Sequence, residues 1–325
     1  MTTTETQKDT DVTGRFKQDF ELGLQTWTFG HFPDHDHVLA ACEELGIRHV
    51  DIGDCHFEFI APHKSFAHLI KNRVEWLNRK VSGFTLRYDG ALEFPADSFI
   101  VPRIKETHAQ RGDVGPEVVF EYVRTDYETL AAQYRERGIK VHTAGPIGLP
   151  WRTDDHEAEA RRVFEFARAT DSVFVELGKI TEPYIAPFEA LSEEYGIRVS
   201  IHNHGRKHEF GKIEQLKPLF DRTSFGLSLD TAWALDAGED PLEMARTFRD
   251  RLLCVHCKEF KYDENDEHYG VTIGSGTFDL RGFMRLLDDV GFNGLFALEY
   301  EGFEYGCMPA VKQSQANIME IVDSL

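Results

Sequence analysis

The sequence predicts a (β/α)₈ barrel, and three observations carry that prediction. Short β-prone runs alternate with segments whose apolar residues recur at helical spacing, glycines punctuate the helix ends, and the strand count reaches eight. Eight strands separated by helical crossovers favour parallel pairing and closure of the sheet. The 325 residues, 41% of them hydrophobic, suffice for one large core. The expectation is one domain over 18–325, preceded by a polar, disordered tail over 1–17 that is rich in Thr and Asp.

The first strand is read in ELGLQTWTF, followed by the helical HDHVLAACEEL with Gly46 as its stop and then by IRHVDIGD as the second strand. The same cadence gives IKVHTAG, DSVFVELG, IRVSIHNHG, FGLSLD, RLLCVHCKEF and GLFALEYEG as strands three to eight, each after a helical segment. A doubly wound open sheet is the alternative, but no glycine-rich phosphate loop follows the first strand. Residues 56–138 are too long for an ordinary crossover. They hold a helical stretch (FAHLIKNRVEWLNRK), a β-rich patch (GFTLRYDGALEF) and a region without clear period through RGDVGP, read as an elaborated lid or an oligomer contact.

Composition narrows the function classes. The formal net charge of −20 is spread along the chain with no long Lys/Arg run, which argues against nucleic acid as partner. No window reaches the roughly 18 to 20 apolar residues of a membrane span, and the first residues lack a basic and apolar leader pattern, so a cytoplasmic protein is expected. The five cysteines are an odd, scattered set and are expected to be reduced. Cys254 and Cys257 form a C-x-x-C, but on a strand positions i and i+3 face opposite ways, which argues against a zinc knuckle.

Chemistry in a barrel collects where inward side chains reach the carboxyl ends of the strands. Alternation turns Phe174 and Glu176 inward on the fourth strand, His202 and His204 on the fifth, and Gly226, Ser228 and Asp230 on the sixth. On the seventh it turns Cys254, His256 and Lys258 inward and Leu253 and Val255 outward, and on the eighth Ala297, Glu299 and Glu301 inward. One inward histidine is usually a hydrogen-bonded structural group, but five consecutive strands with an acid or imidazole late on the inner face call for a cation to offset their repulsion and desolvation. Mixed carboxylate and imidazole donors suit one divalent ion, Mn²⁺, Co²⁺, Zn²⁺ or Mg²⁺. Gln25, Trp27, Asp51 and His142 come from early strands and are candidates for the opposite wall, with Trp27 placed to stack on a sugar face.

These residues, with the ordered series IHNHG, SLDTAWALDAGEDP, VHCKEF, GSGTFDL and GFNGLFALEYEG, resemble the xylose-isomerase-like TIM barrel superfamily, which includes sugar phosphate isomerases and epimerases, over residues 20–305. The resemblance implies one metal ligand from each of the fifth to eighth strands, which fall on His202, Asp230, His256 and Glu299. Two positions depart from the family pattern. His202 stands where a glutamate is usual, leaving Glu176 as the alternative source of that carboxylate, and Asp230-Thr-Ala-Trp233 replaces Asp-x-x-His. The second departure, with the acidic charge, weakens a DNA-repair reading. The resemblance implies a metal-dependent isomerase or epimerase acting on a sugar or related polyhydroxy carbonyl compound through an enediolate. Glu299 would be a ligand doubling as acid/base, Glu176 or His202 the group opposite, and Lys258 an oxyanion contact. His204 and Trp233 are carried over as substrate contacts. A lyase or dehydratase acting on a keto-sugar, keto-glycoside or inosose is the alternative, and a non-catalytic binding barrel the second. The turn at Gly274–Gly276 offers amides to a phosphate, although glycine turns before helices are common. Dimers and tetramers are frequent among what the chain resembles.

Overall fold

Each of the eight runs read as strands forms one in the computed structural model, which describes residues 20–32, 34–60, 65–109, 115–148 and 155–325. The tail expected over 1–17 lies outside the described residues. The barrel strands are β1 (Leu22–Gln25), β2 (His49–Ile52), β3 (Lys140–Ala144), β4 (Phe174–Lys179), β5 (Arg198–His202), β6 (Gly226–Asp230), β7 (Leu252–Cys257) and β8 (Leu295–Leu298). All neighbours pair in parallel, including β8 with β1. The chain just past β3 closes the ring, because Ile147–Gly148 pairs with Leu177 and Lys179 of β4. The (β/α)₈ architecture is therefore observed.

Branched and aromatic side chains sort by strand parity. Val50, Ile52, Val175, Leu177, Val199, Ile201, Leu227, Leu229, Val255, Phe296 and Leu298 point outward and join the surrounding helices in the main core. Phe174, Leu253, Cys254, Leu295 and Ala297 form a separate apolar plug. Leu253 corrects the simple alternation. The β6–β7 ladder pairs Leu227 with Leu252 but Ser228 with Cys254, so Leu253 is an extra residue that turns into the barrel. Two glycines make room for this plug: a Cβ on Gly226 would meet Leu253 Cγ at 2.6 Å, and one on Gly23 would meet Leu295 Cδ1 at 2.5 Å. Cys254 lies in the plug and Cys257 in the outer core, so they face opposite ways as expected, and all five cysteines are free.

The long crossover after β2 carries a sheet of its own, with strands in the order 58–59, 99–108, 117–125, 85–88, packed on helix Phe66–Lys80. The stretch read as lacking a period, which ends at RGDVGP, contains strand 99–108, whose hairpin partner 117–125 follows directly after it. Its pattern is blurred because residues near Phe99 serve two cores: Phe99 and Val101 pack on the barrel, and Ile100 packs with Phe66, Ile70, Leu86 and Phe120 in the insert. Helix Met308–Ser324 follows β8 and is tied to the first crossover helix by Gln315 Nε2 donating to Leu45 O at 2.9 Å. Among the described residues no helix is long and apolar enough to cross a membrane.

Candidate active site

The carboxyl ends of β5 to β8 bring four donor atoms together. His202 Nε2 lies 3.1 Å from His256 Nδ1 and 3.5 Å from Asp230 Oδ2, and His256 Nδ1 lies 3.4 Å from Glu299 Oε2. Ligands about 2.0–2.1 Å from a central ion stand about 3.3 Å apart at the corners of a tetrahedron; His202, Asp230 and His256 form one group within reach of such an ion, and Glu299 approaches it from the His256 side. Glu299 Oε2 is buried without a hydrogen-bond partner, and Asp230 Oδ2 is buried with the Lys258 ammonium 2.8 Å away. The residues present thus fit a divalent metal. Asp230 is held from both sides: its other oxygen caps helix Thr231–Asp236 by accepting from Trp233 N at 2.8 Å, and Asn203 of IHNHG clamps its backbone at 2.7 and 3.1 Å.

Glu176 stands elsewhere. It pairs in register with Ser200, one inward position before His202, and its carboxylate lies 3.6 Å from the opposite nitrogen of the same imidazole, His256 Nε2. That nitrogen donates to Asp51 Oδ2 at 2.7 Å, so Asp51 and Glu176 form a layer behind His256, with Cys254 within ligand reach of both. A carboxylate on the far nitrogen fixes the tautomer and leaves Nδ1 free to coordinate. Burial pushes the Glu176 carboxyl up to about 8 and raises Asp51 well above the usual range. His202, rather than Glu176, shares the Nδ1 side with Asp230 and Glu299.

Lys258 is 1% exposed, and its ammonium lies 2.8 Å from Asp230, 3.0 Å from Glu299 and 2.9 Å from Glu301. Burial opposes its charge, but the three carboxylates overcome that and hold its pKa well above the ordinary lysine value. Burial likewise opposes ionisation of Asp230, yet Lys258 and the neighbouring histidines draw its pKa below the carboxylate range. Glu299 moves the other way, raised by burial. Burial lowers His202 to about 4, lowers His256 and takes His204 well below its usual value, so all three imidazoles are neutral at pH 7 and available as ligands or acceptors.

A cavity of about 560 Å³ opens above this floor, and Trp27, His202, His204, Trp233, Lys258 and Glu299 of the expected residues line it. Gln25 does not. It is fully buried, donating to Gly145 O at 3.2 Å and accepting from Trp27 N at 2.9 Å, so it sets the turn that presents Trp27. His142 is also displaced from its expected role. The β2–β3 register passes from Val50–Val141 to Asp51–Thr143, leaving His142 unpaired and turned to His49 at 2.7 Å, away from the cavity lining. Other lining residues were not anticipated: Trp76 and Lys80 come from the insert helix, and His268 and Tyr269 from the hairpin 260–262/268–270. At the GSG turn, buried Glu259 accepts from Gly274 N at 2.7 Å and Phe278 N at 3.0 Å, so an internal carboxylate occupies the amides that a phosphate would need.

With fold and site in view, residues 185–322 match the family profile described as xylose isomerase-like TIM barrel. Among curated proteins the chain is similar to an inosose dehydratase of Lacticaseibacillus casei, 25% identical over 126 residues, which are 34% of this chain and 42% of the relative's length. The matched stretch therefore spans less than half of that relative. Among solved structures it resembles the IOLI protein with a bound zinc atom, at TM-score 0.59 and 14% identity, covering 94% of this chain and 99% of that one. It also resembles the 3-keto-D-glucoside 4-epimerase YcjR of E. coli, at TM-score 0.52 and 14% identity, covering 92% and 99%. Proteins similar to this chain thus include both a dehydratase and an epimerase.

Proposed function

We propose that the protein is a divalent-metal-dependent isomerase or epimerase that removes a proton beside the carbonyl of a sugar or related polyhydroxylated compound. The observation that carries this reading is the convergence of His202, Asp230 and His256, with His202 Nε2 3.1 Å from His256 Nδ1 and 3.5 Å from Asp230 Oδ2, and of Glu299 Oε2 3.4 Å from the same His256 nitrogen, at a cavity floor that also presents the Lys258 ammonium. His202, Asp230, His256 and Glu299 would hold the ion, whose contribution is Lewis-acid polarisation of the carbonyl and its neighbouring hydroxyl. Glu299 lines the cavity, and burial raises its pKa, which makes its carboxylate a stronger base for taking up the substrate proton and its carboxyl the donor that returns it. Lys258, kept charged by its carboxylates, hydrogen-bonds the oxyanion of the resulting enediolate. Glu176 does not line the cavity, and we place it with Asp51 as a group that orients His256 rather than one that meets substrate.

Deuterium exchange tests the assignment. With Mn²⁺-loaded protein in D₂O, wild type should wash solvent deuterium into a substrate found by screening keto-sugars, inososes and 3-keto-glycosides. Glu299→Gln should cut that exchange by about 10²-fold or more while leaving the fold intact. Exchange at the wild-type rate in the variant rejects the role.

One observation favours the lyase or dehydratase reading as the second choice. Glu299 and Glu301, which line the cavity beside Lys258, both come from or just after β8, while β5 offers imidazoles and the third lining carboxylate, Asp54, follows β2. Epimerisation needs proton-transfer groups on both faces of one carbon, whereas elimination needs a base and an acid at the leaving group. Product mass separates the two, since dehydration removes one water and epimerisation leaves the mass unchanged.

A further inference from the structure

The cavity is larger than the chemistry at its floor requires. One six-carbon ring fills only about a third of 560 Å³ at the packing density of protein interiors and organic crystals. The lining also presents two separate aromatic platforms. Trp233 stands beside the donor set, with its ring centroid 5.5 Å from Lys258 Nζ and 4.8 Å from His268. Across the barrel, Trp27 follows β1, the strand diametrically opposite β5, and forms a triad with Trp76 and Phe303 at centroid distances of 5.9, 6.4 and 6.2 Å. None of these three rings belongs to the donor set.

The triad is assembled from three distant parts of the chain and held in place at some conformational cost. Phe303 has φ of 53°, a left-handed backbone that a bulky side chain rarely adopts. Ser82 of the insert secures it on both sides: Ser82 N donates to Phe303 O at 3.1 Å and Tyr305 N donates to Ser82 O at 3.0 Å. A strained residue fixed by its surroundings beside a cavity points to a ligand contact. Trp76 is half-buried on helix Phe66–Lys80, so the insert reaches the cavity with a ring and, at Lys80, with a cation.

We infer that the substrate is a glycoside: its carbonyl-bearing ring occupies the floor beside Trp233 and Lys258, and its second ring, a sugar or aryl aglycone, stacks on Trp27, Trp76 and Phe303. This rests on the reading of the floor as a site for a sugar-like carbonyl compound and adds the second ring. The insert then sets which aglycone is accepted while the barrel strands supply the chemistry. Stacking on these rings strengthens binding through buried apolar area and ring geometry.

The test compares phenyl and methyl glucosides, in both anomeric forms, by isothermal titration of the Zn²⁺-loaded full-length protein. For at least one anomer the phenyl glucoside should bind tenfold or more tightly than the methyl glucoside. Trp76→Ala should reduce that preference to threefold or less, and Trp76→Leu serves as a second variant should the alanine form fail to fold. Equal affinities, no measurable binding of either glucoside, or a preference that survives both substitutions overturns the inference. The outcome is separable from the reading of the floor: free keto-hexose that exchanges deuterium in a Glu299-dependent way, with no phenyl preference, leaves that reading standing and removes the aglycone site alone.

Discussion

At the scale of single residues, the site turns on which nitrogen of His256 faces which neighbours. Asp51 holds Nε2 at 2.7 Å, and this bond presents Nδ1 toward His202, Asp230 and Glu299. Replacing the hydrogen-bonding partner behind a ligating imidazole typically costs about 10- to 100-fold in metal affinity. Asp51→Asn should therefore weaken Zn²⁺ binding by about that factor in a chelator competition, without loss of secondary structure, and wild-type affinity would remove Asp51 from the positioning role. Alternation along the strands made the inward set legible from sequence, because His202, Asp230, His256 and Glu299 all sit where parity and strand ends place them. The roles of Asp51 and Glu176 were not legible, since they depend on the orientation of one ring. His142 was misread for a different reason: a one-residue bulge shifts the register, and no local signal in KVHTA marks it.

At the scale of elements, polar ties join the barrel to its insert, and Asp34 makes one of them while capping a helix with its other oxygen. Its Oδ1 caps helix His35–Leu45 by accepting from Asp36 N at 2.7 Å, and its Oδ2 accepts from Ile104 N of the insert hairpin at 2.6 Å. Asp34→Ala removes the cap and strands the Ile104 amide, which together should cost about 2–4 kcal/mol in urea unfolding. Amide exchange at the Ile104 end of the hairpin should quicken as well, and a loss below about 0.5 kcal/mol would show that the tie contributes little. The eight barrel strands were readable because each repeats a local pattern of apolar run, glycine stop and helical segment. The insert hairpin was not, because Phe99 and Ile100 answer to different cores and Pro102 interrupts the run. The same long-range packing brings Trp76 to the cavity, a placement that helical spacing within 66–80 cannot reveal.

At the scale of the whole molecule, the pH dependence of stability sums opposing buried groups, and one of them can be isolated. Burial, with His56 nearby, lowers His35 to about 3. Its two nitrogens are engaged by Tyr134 Oη and His56 O, each at 2.8 Å. The unfolded chain takes up this proton near pH 6.5 whereas the folded one does not, so the neutral His35 contributes fully above 6.5 and its contribution is lost as pH falls from 6.5 toward 3. Glu176, raised to about 8, acts in the reverse sense: the folded state holds its proton longer, so its contribution falls as pH rises from the unfolded glutamate range toward 8. Wild type alone therefore need not become less stable on acidification. The difference between wild type and His35→Gln cancels the carboxylates and leaves the histidine. That difference, measured by urea unfolding at pH 7.5, 6.0, 5.0 and 4.5, should be constant near pH 7.5 and then shrink by about 1.4 kcal/mol per pH unit below pH 6. A difference that stays flat across the range would mean that His35 titrates alike in both states, which its burial and its two fixed partners argue against.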